Sequence, residues 1–235
     1  MKTIAVVSAH PGSGQTTILV NLASGLVRKG CHVLILDPSN NRKLRLWLGL
    51  NPIPDQALTS TEPPSMGKAN IEHSRLGVDL ISFSSDPAGK SENLYHQLAL
   101  EKGAYEYILL HPSNKVDFDV LSRIPAALLV CTDLKNDYEL EELKAIELCW
   151  QESGGRPDSI TLIVPNKINT KEWEHNTEQL FAIADHFGFE KIADPIPHCE
   201  RVHDLPLDGR TVWDLSQENL REAFLRLVSA VENIQ

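Results

Sequence analysis

The chain has 235 residues, 42% of them hydrophobic and 23% charged, which suits one soluble domain with a full core, residues 1–235. Its formal net charge of −10 excludes a surface that grips nucleic acid all over, so DNA contact would need a local basic patch. No apolar run reaches the length of about eighteen residues that a membrane span requires, and no signal peptide is expected, because the N-terminus enters a strand pattern directly.

Residues 2–8 read as a buried strand, followed by a small-residue loop and a helix over 16–29 that ends on the cation–glycine pair Lys29-Gly30. Val33-Leu34-Ile35-Leu36 is an unbroken β-favouring run, the pattern of a parallel strand covered on both faces. It ends at Asp37, and Arg42 to Leu50 is expected as a short helix. Arg42, Lys43 and Arg45 are the best basic cluster in the chain, with a solvated face as their simpler reading. The proline-rich stretch 51–75 is expected to be a mobile excursion. Strands are expected at 78–81, 105–110, 127–131 and 161–164, with helices at 90–102, 137–151 and 172–187. A short strand over 191–196, a turn-rich loop over 197–211 and an amphipathic helix over 216–233 complete the chain. Strands alternating with helices throughout predict an α/β, doubly wound, mostly parallel sheet flanked by helices, with ligands at the carboxyl ends of the strands. The four cysteines (Cys31, Cys131, Cys149, Cys199) form no CxC or CxxC pair and read as reduced core residues of a cytoplasmic protein.

The first loop carries the chemistry. Strand, glycine loop and helix place backbone N–H groups and a helix N-terminus where they can cradle phosphates. The loop His10-Pro11-Gly12-Ser13-Gly14-Gln15-Thr16-Thr17 resembles the K-G-G-x-G-K-T-T signature of the ParA/MinD family of P-loop ATPases, the deviant Walker-A proteins of partition and intracellular positioning. The likeness continues through Asn21-Leu22-Ala23, the Asp37 strand end, Leu46 to Leu50, the Tyr105–Leu110 strand, Asn166-Lys167, and Ile196-Pro197 through Trp213. The resemblance implies a dimerising switch that binds ATP or ADP with Mg²⁺. It makes Gly12, Ser13, Gly14, Gln15, Thr16 and Thr17 the phosphate loop, Asn166 and Lys167 the adenine contacts, Thr16 a Mg²⁺ ligand and Asp37 the residue that orients water. It also implies a homodimer, or a heterodimer with a relative, and a protein partner.

The departures from that pattern fall on charged contacts. His10 replaces the lysine that reaches across the family's dimer, Gln15 replaces the loop lysine, and His111 replaces the Walker-B aspartate; Ser39 replaces a second switch aspartate. Hydrogen bonds to charged groups are worth roughly 1.5–3 kcal/mol, so loss of the loop lysine is expected to weaken nucleotide binding about ten- to a hundred-fold. A cationic finger is worth roughly 10³–10⁵ in phosphoryl-transfer rate, so little or no hydrolysis is expected. Plainer roles stand beside these: His111 as a buried structural histidine, Asp37 as a turn cap, Asn166 as a partner of loop carbonyls, and Trp47, Trp150 and Trp213 as packing. The alternative function is a non-catalytic pseudo-ATPase that serves as an interaction scaffold; an active metal-inserting or amide-forming ATPase is a more distant third. The last helix lacks a basic face, so membrane binding by that route is not expected.

Overall fold

The computed structural model describes residues 1–37, 41–51, 71–82, 103–112, 125–154 and 160–234. Its strands are β1 (Lys2–Ser8), β2 (Val33–Asp37), β3 (Glu72–His73), β4 (Asp79–Ser82), β5 (Tyr107–Leu110), β6 (Ala127–Thr132) and β7 (Ile160–Pro165). Its α-helices are α1 (Gln15–Arg28), α2 (Arg42–Trp47), α3 (Glu139–Glu152), α4 (Trp173–Phe187), α5 (Leu205–Asp208) and α6 (Glu218–Glu232). The strands form one sheet in the order β3-β4-β2-β5-β1-β6-β7. Every pairing is parallel except β3 with β4.

The unbroken apolar runs follow from burial on both faces of this sheet. In β1, Ile4 and Val6 face one core with α1, α2 and α6, while Ala5 and Val7 face a second core with α3 and α4. Helix α6 buries Leu220, Phe224, Leu227, Val228 and Val231, and its Phe224 ring meets Trp213 edge-on at 6.3 Å. Gly25 in α1 makes this approach possible: a Cβ there would stand 2.6 Å from Trp213 Cζ2 and 2.7 Å from Val228 Cγ2. Among the described residues no helix is long and apolar enough to cross a membrane.

Four expectations need correction. The segment 191–196 forms no strand; after a 3₁₀ turn at Phe189–Lys191 it meets β7 through the isolated bridge of Ile192 to Ile163 and through hydrogen bonds from Ala193 N to Ile163 O and Ile196 N to Pro165 O, both at 2.8 Å. The loop 197–211 contains a 3₁₀ turn at Glu200–His203 and the short helix α5. Arg45 leaves the solvated basic face: it is 2% exposed and pairs with Glu72 of β3, inside the stretch read as an excursion. Of the cysteines, only Cys131 is buried, where desolvation raises its thiol pKa beyond the ordinary range; Cys31, Cys149 and Cys199 are half-buried. The expected helix at 90–102, most of 51–75, the segment after Pro112 and Ser39 lie outside the described residues.

Candidate functional site

The phosphate-type loop lies at the sheet's centre, where β1 runs between β5 and β6. Gly12 and Gly14 hold φ of 95° and 107°, the left-handed region in which glycine carries no Cβ penalty. Gly14 is the N-cap of α1 and offers no side-chain cap, while the first intrahelical bond runs from Ile18 N to Gly14 O at 2.9 Å. The N–H groups of the first turn therefore lack intrahelical acceptors and, with the helix dipole, favour an anion. Gly12, Gly14, Gln15, Thr16 and Thr17 line a cleft of about 990 Å³ whose walls also carry Lys43, Lys135 and Lys167. Ser13 is fully buried.

The residue at the missing lysine's position turns away from this cradle. Gln15 Nε2 donates to Val6 O at 2.9 Å and to Pro112 O at 2.6 Å, spending both amide protons on the carboxyl ends of two strand segments. Beside it, His111 is 2% exposed and places Nε2 3.1 Å from Thr16 Oγ1. Its Nδ1 lies 3.7 Å from Asp37 Oδ1. Asp37 is fully buried and accepts a hydrogen bond from Asn41 N, so the turn-capping role is realised at that residue. The oxygen set that a Mg²⁺ ion prefers is thereby altered, with an imidazole against the Thr16 hydroxyl where the family supplies a carboxylate. The loop backbone fits a polyphosphate; the donors around Thr16 fit Mg²⁺ poorly.

Asn166 and Lys167 follow β7 and bind the loop's carbonyls. Asn166 Nδ2 donates to Ser13 O at 2.8 Å, and Lys167 Nζ donates to Gly12 O. The contact is close enough that a Cβ on Gly14 would collide with the Asn166 amide. Burial lowers the Lys167 pKa below the ordinary lysine value; Asp133 opposes this, while Lys135 and Lys43 add to it. Lys43, Lys135 and Lys167 thus bring positive charge to one wall of the cleft, where Lys135 Nζ lies 3.6 Å from Asp133 Oδ2.

His10 turns away from the loop toward β6 and α3. Its Nε2 lies 3.1 Å from Asp133 Oδ1 and 3.2 Å from Glu139 Oε1. Glu139 is fully buried and accepts a hydrogen bond from Thr132 Oγ1. Burial alone would depress the His10 pKa, but Glu139, the Pro11 carbonyl, Asp133 and Glu142 together raise it above 6.5. Burial, helped by Glu139 and Asp133 and opposed by His10, raises the Glu142 carboxyl as well.

Sequence reasoning finds the loop, Asp37, His111 and the Asn166-Lys167 pair, and these do converge. It includes Asn21 in the family-like run but misses its structural role: Oδ1 accepts from Val212 N at 2.8 Å while its carbonyl accepts from Trp213 Nε1 at 3.1 Å. A lone amide in the apolar run Val20-Asn21-Leu22 was the available signal. It also misses Lys135 and the Asp133, Glu139, Glu142 group, whose relation to His10 is long-range and leaves no local pattern.

No protein-family profile matches the chain. ParA from Rhizobium radiobacter is 31% identical over 83 residues, 34% of this chain and 37% of that protein, so the match spans little more than a third of that relative's length. Among solved structures, the MinD cell division protein of Aquifex aeolicus superposes with a TM-score of 0.75 at 19% identity, covering 100% of this chain and 98% of that one. Apo McdA of Cyanothece gives 0.75 at 17% identity, covering 98% and 99%. A plasmid partition protein of Borrelia burgdorferi B31 bound to AMPPNP gives 0.73 at 15% identity, covering 98% of each. The chain has the P-loop fold of the MinD and ParA ATPases, as the sequence pattern predicts.

Proposed function

We propose that this protein is a degenerate member of the ParA/MinD family: a cytoplasmic switch that binds ATP or ADP weakly, dimerises with itself or a relative, and acts through a protein partner in partition or positioning. The observation that carries this reading is the cleft itself, where an uncapped helix N-terminus faces a wall bearing Lys43, Lys135 and Lys167. Backbone N–H groups and cations in one concavity suit a polyphosphate. The solved neighbour with AMPPNP supports a nucleotide as that polyphosphate. Hydrolysis is not part of the proposal, since Gln15 is committed to main-chain carbonyls and carries no charge to the phosphates. Membrane attachment through α6 is not part of it either, because that helix's apolar stripe is buried against α1 and Trp213. The net charge of −10 disfavours DNA as the partner.

A second reading has its own observation. Asn166 and Lys167, the implied adenine contacts, are bonded to Ser13 and Gly12 carbonyls, which favours a pseudo-ATPase whose loop is a structural turn and whose surface is a scaffold. Isothermal titration with Mg-ATP and Mg-ADP, run beside a light-scattering mass, separates the two. Micromolar to sub-millimolar binding with an ATP-specific increase in mass supports the switch. No heat and no mass change up to millimolar nucleotide would leave the scaffold.

A further inference from the structure

We propose that His10, Glu139 and Glu142, with Asp133 beside them, form a site for a first-row divalent cation of the zinc class, one that ties the phosphate loop to α3. One ligand atom from each of His10, Glu139 and Glu142 lies within 4.8 Å of the other two. Each of these residues also has a buried side-chain atom with no hydrogen-bond partner among the described residues, His10 Nε2, Glu139 Oε1 and Glu142 Oε2, and Asp133 Oδ1, 3.1 Å from His10 Nε2, is another. Buried polar atoms are nearly always paired, so four orphans in one neighbourhood, three of them on residues that cluster, require an explanation.

The surrounding bonds leave those particular atoms free. Thr132 Oγ1 occupies Glu139 Oε2, so Oε1 is the free oxygen of a carboxylate with no solvent exposure. Lys135 Nζ stands 3.6 Å from Asp133 Oδ2, leaving Oδ1 toward His10. His10 Nδ1 lies 3.3 Å from Pro11 O, and since a carbonyl only accepts, the ring proton belongs on Nδ1. Nε2 then presents its lone pair, the arrangement by which an outer hydrogen bond prepares a histidine for a metal. A lone pair 3.1 Å and 3.2 Å from two carboxylate oxygens is repulsive unless a cation lies among them.

A proton on Nε2 is the competing cation. It would give one imidazolium against three carboxylates, and the ring N–H would not align with either near oxygen well enough to form a hydrogen bond. A dication balances the charge more closely and accepts several oxygens at once. One imidazole with carboxylates and no thiolate matches zinc and its first-row neighbours better than Mg²⁺ or Ca²⁺, which favour all-oxygen sets. The proposal does not require a nucleotide to bind: His10 lines the same cleft as the first turn of α1, while the carboxylates that would complete the site come from α3.

The test uses the full chain and two probes, Zn²⁺ by isothermal titration with elemental analysis after dialysis, and Co²⁺ by its visible ligand-field absorption. The expected result is one Zn²⁺ per chain and a tetrahedral-type Co²⁺ spectrum. His10→Gln and Glu142→Gln should each weaken Zn²⁺ at least tenfold and abolish that spectrum, with far-UV circular dichroism unchanged. Glu142→Gln guards against a folding artefact, as its side chain is only half-buried. Zn²⁺ bound equally by wild type and both folded variants would place the metal on other histidines or cysteines and overturn the proposal. So would the absence of stoichiometric binding by the wild type.

Discussion

Gln15 and His10 occupy the two positions where the resembling family carries lysine, and each has found a different partner within the chain. Gln15 is neutral and long enough to bridge Val6 O and Pro112 O, so it fastens the loop to the sheet instead of presenting charge to a ligand. His10 is drawn the opposite way by buried carboxylates, and its titration makes a prediction. Its pKa is raised on folding, so the folded state holds that proton more tightly than the unfolded chain. The resulting stabilisation is complete below pH 6.5 and is lost as pH rises through the folded-state value. Metal-free wild type should therefore exceed His10→Gln in stability most at about pH 6, with the difference shrinking toward pH 9 in urea unfolding series. The raised Glu142 carboxyl follows the same sign in a window that opens lower, at 4.5. A difference that grows with pH would mean that His10 is neutral throughout and that the carboxylates do not act on it.

The element that sequence patterning renders least well is β3, and the reason is energetic. Parallel strands such as Val33–Asp37 announce themselves because both faces are buried, whereas the two residues Glu72 and His73 carry no apolar alternation. They are held from outside by Arg45 of α2, whose Nη1 and Nη2 donate to Glu72 Oε1 and Oε2 at 2.6 and 2.7 Å. Arg45 Nε also donates to Asn51 O at 2.9 Å, so one buried guanidinium joins the end of α2, the following turn and the sheet edge. The stretch 191–196 shows the opposite failure. Ile192, Ala193 and Ile196 suggest a strand, but Asp194 and Pro195 interrupt it, and the segment is attached to β7 through Ala193 N to Ile163 O and Ile196 N to Pro165 O, both at 2.8 Å, without a continuous ladder. Within the site, the glycine loop is legible because its geometry is local. The acidic pocket around His10 is not, because it depends on β6 and α3 meeting a loop more than a hundred residues away. The Arg45–Glu72 pair predicts an asymmetric outcome at this scale. Glu72→Gln should lose about 3 kcal/mol, near the lower end for stranding a buried charge because Glu72 is partly exposed, while Arg45→Met with Glu72→Gln should recover part of that loss. Equal, small losses in guanidinium unfolding for the single and double variants would show that the pair contributes little.

For the molecule as a whole, the fold places a phosphate-type loop and a lysine-bearing wall around one cleft, with Gln15, His10 and His111 where the resembling family carries charged contacts. On the proposed reading, binding and turnover therefore separate. Phosphoryl transfer depends on cationic stabilisation of charge that develops between the phosphates, and that charge must be aimed, not merely nearby. Lys43 and Lys135 lie on the cleft wall, and Lys167 is bonded to Gly12 O, so none occupies the position from which the loop lysine acts. Steady-state turnover with Mg-ATP should stay below about one per minute, within the range of NTPases that lack a catalytic cation. Gln15→Lys tests whether the cradle is otherwise intact. The new ammonium would gain a charge-assisted bond to phosphate worth roughly 1.5–3 kcal/mol, raising Mg-ATP affinity about ten- to a hundred-fold. It would also release Val6 O and Pro112 O from their amide donor, so the variant's stability should be measured alongside. Turnover should remain slow even then, because His111 still stands against Thr16 Oγ1 where a carboxylate is needed to position Mg²⁺. Brisk hydrolysis by the wild type would show that the cleft lysines supply the aimed charge after all. A Gln15→Lys variant that folds but gains no nucleotide affinity would show that the loop is a structural turn.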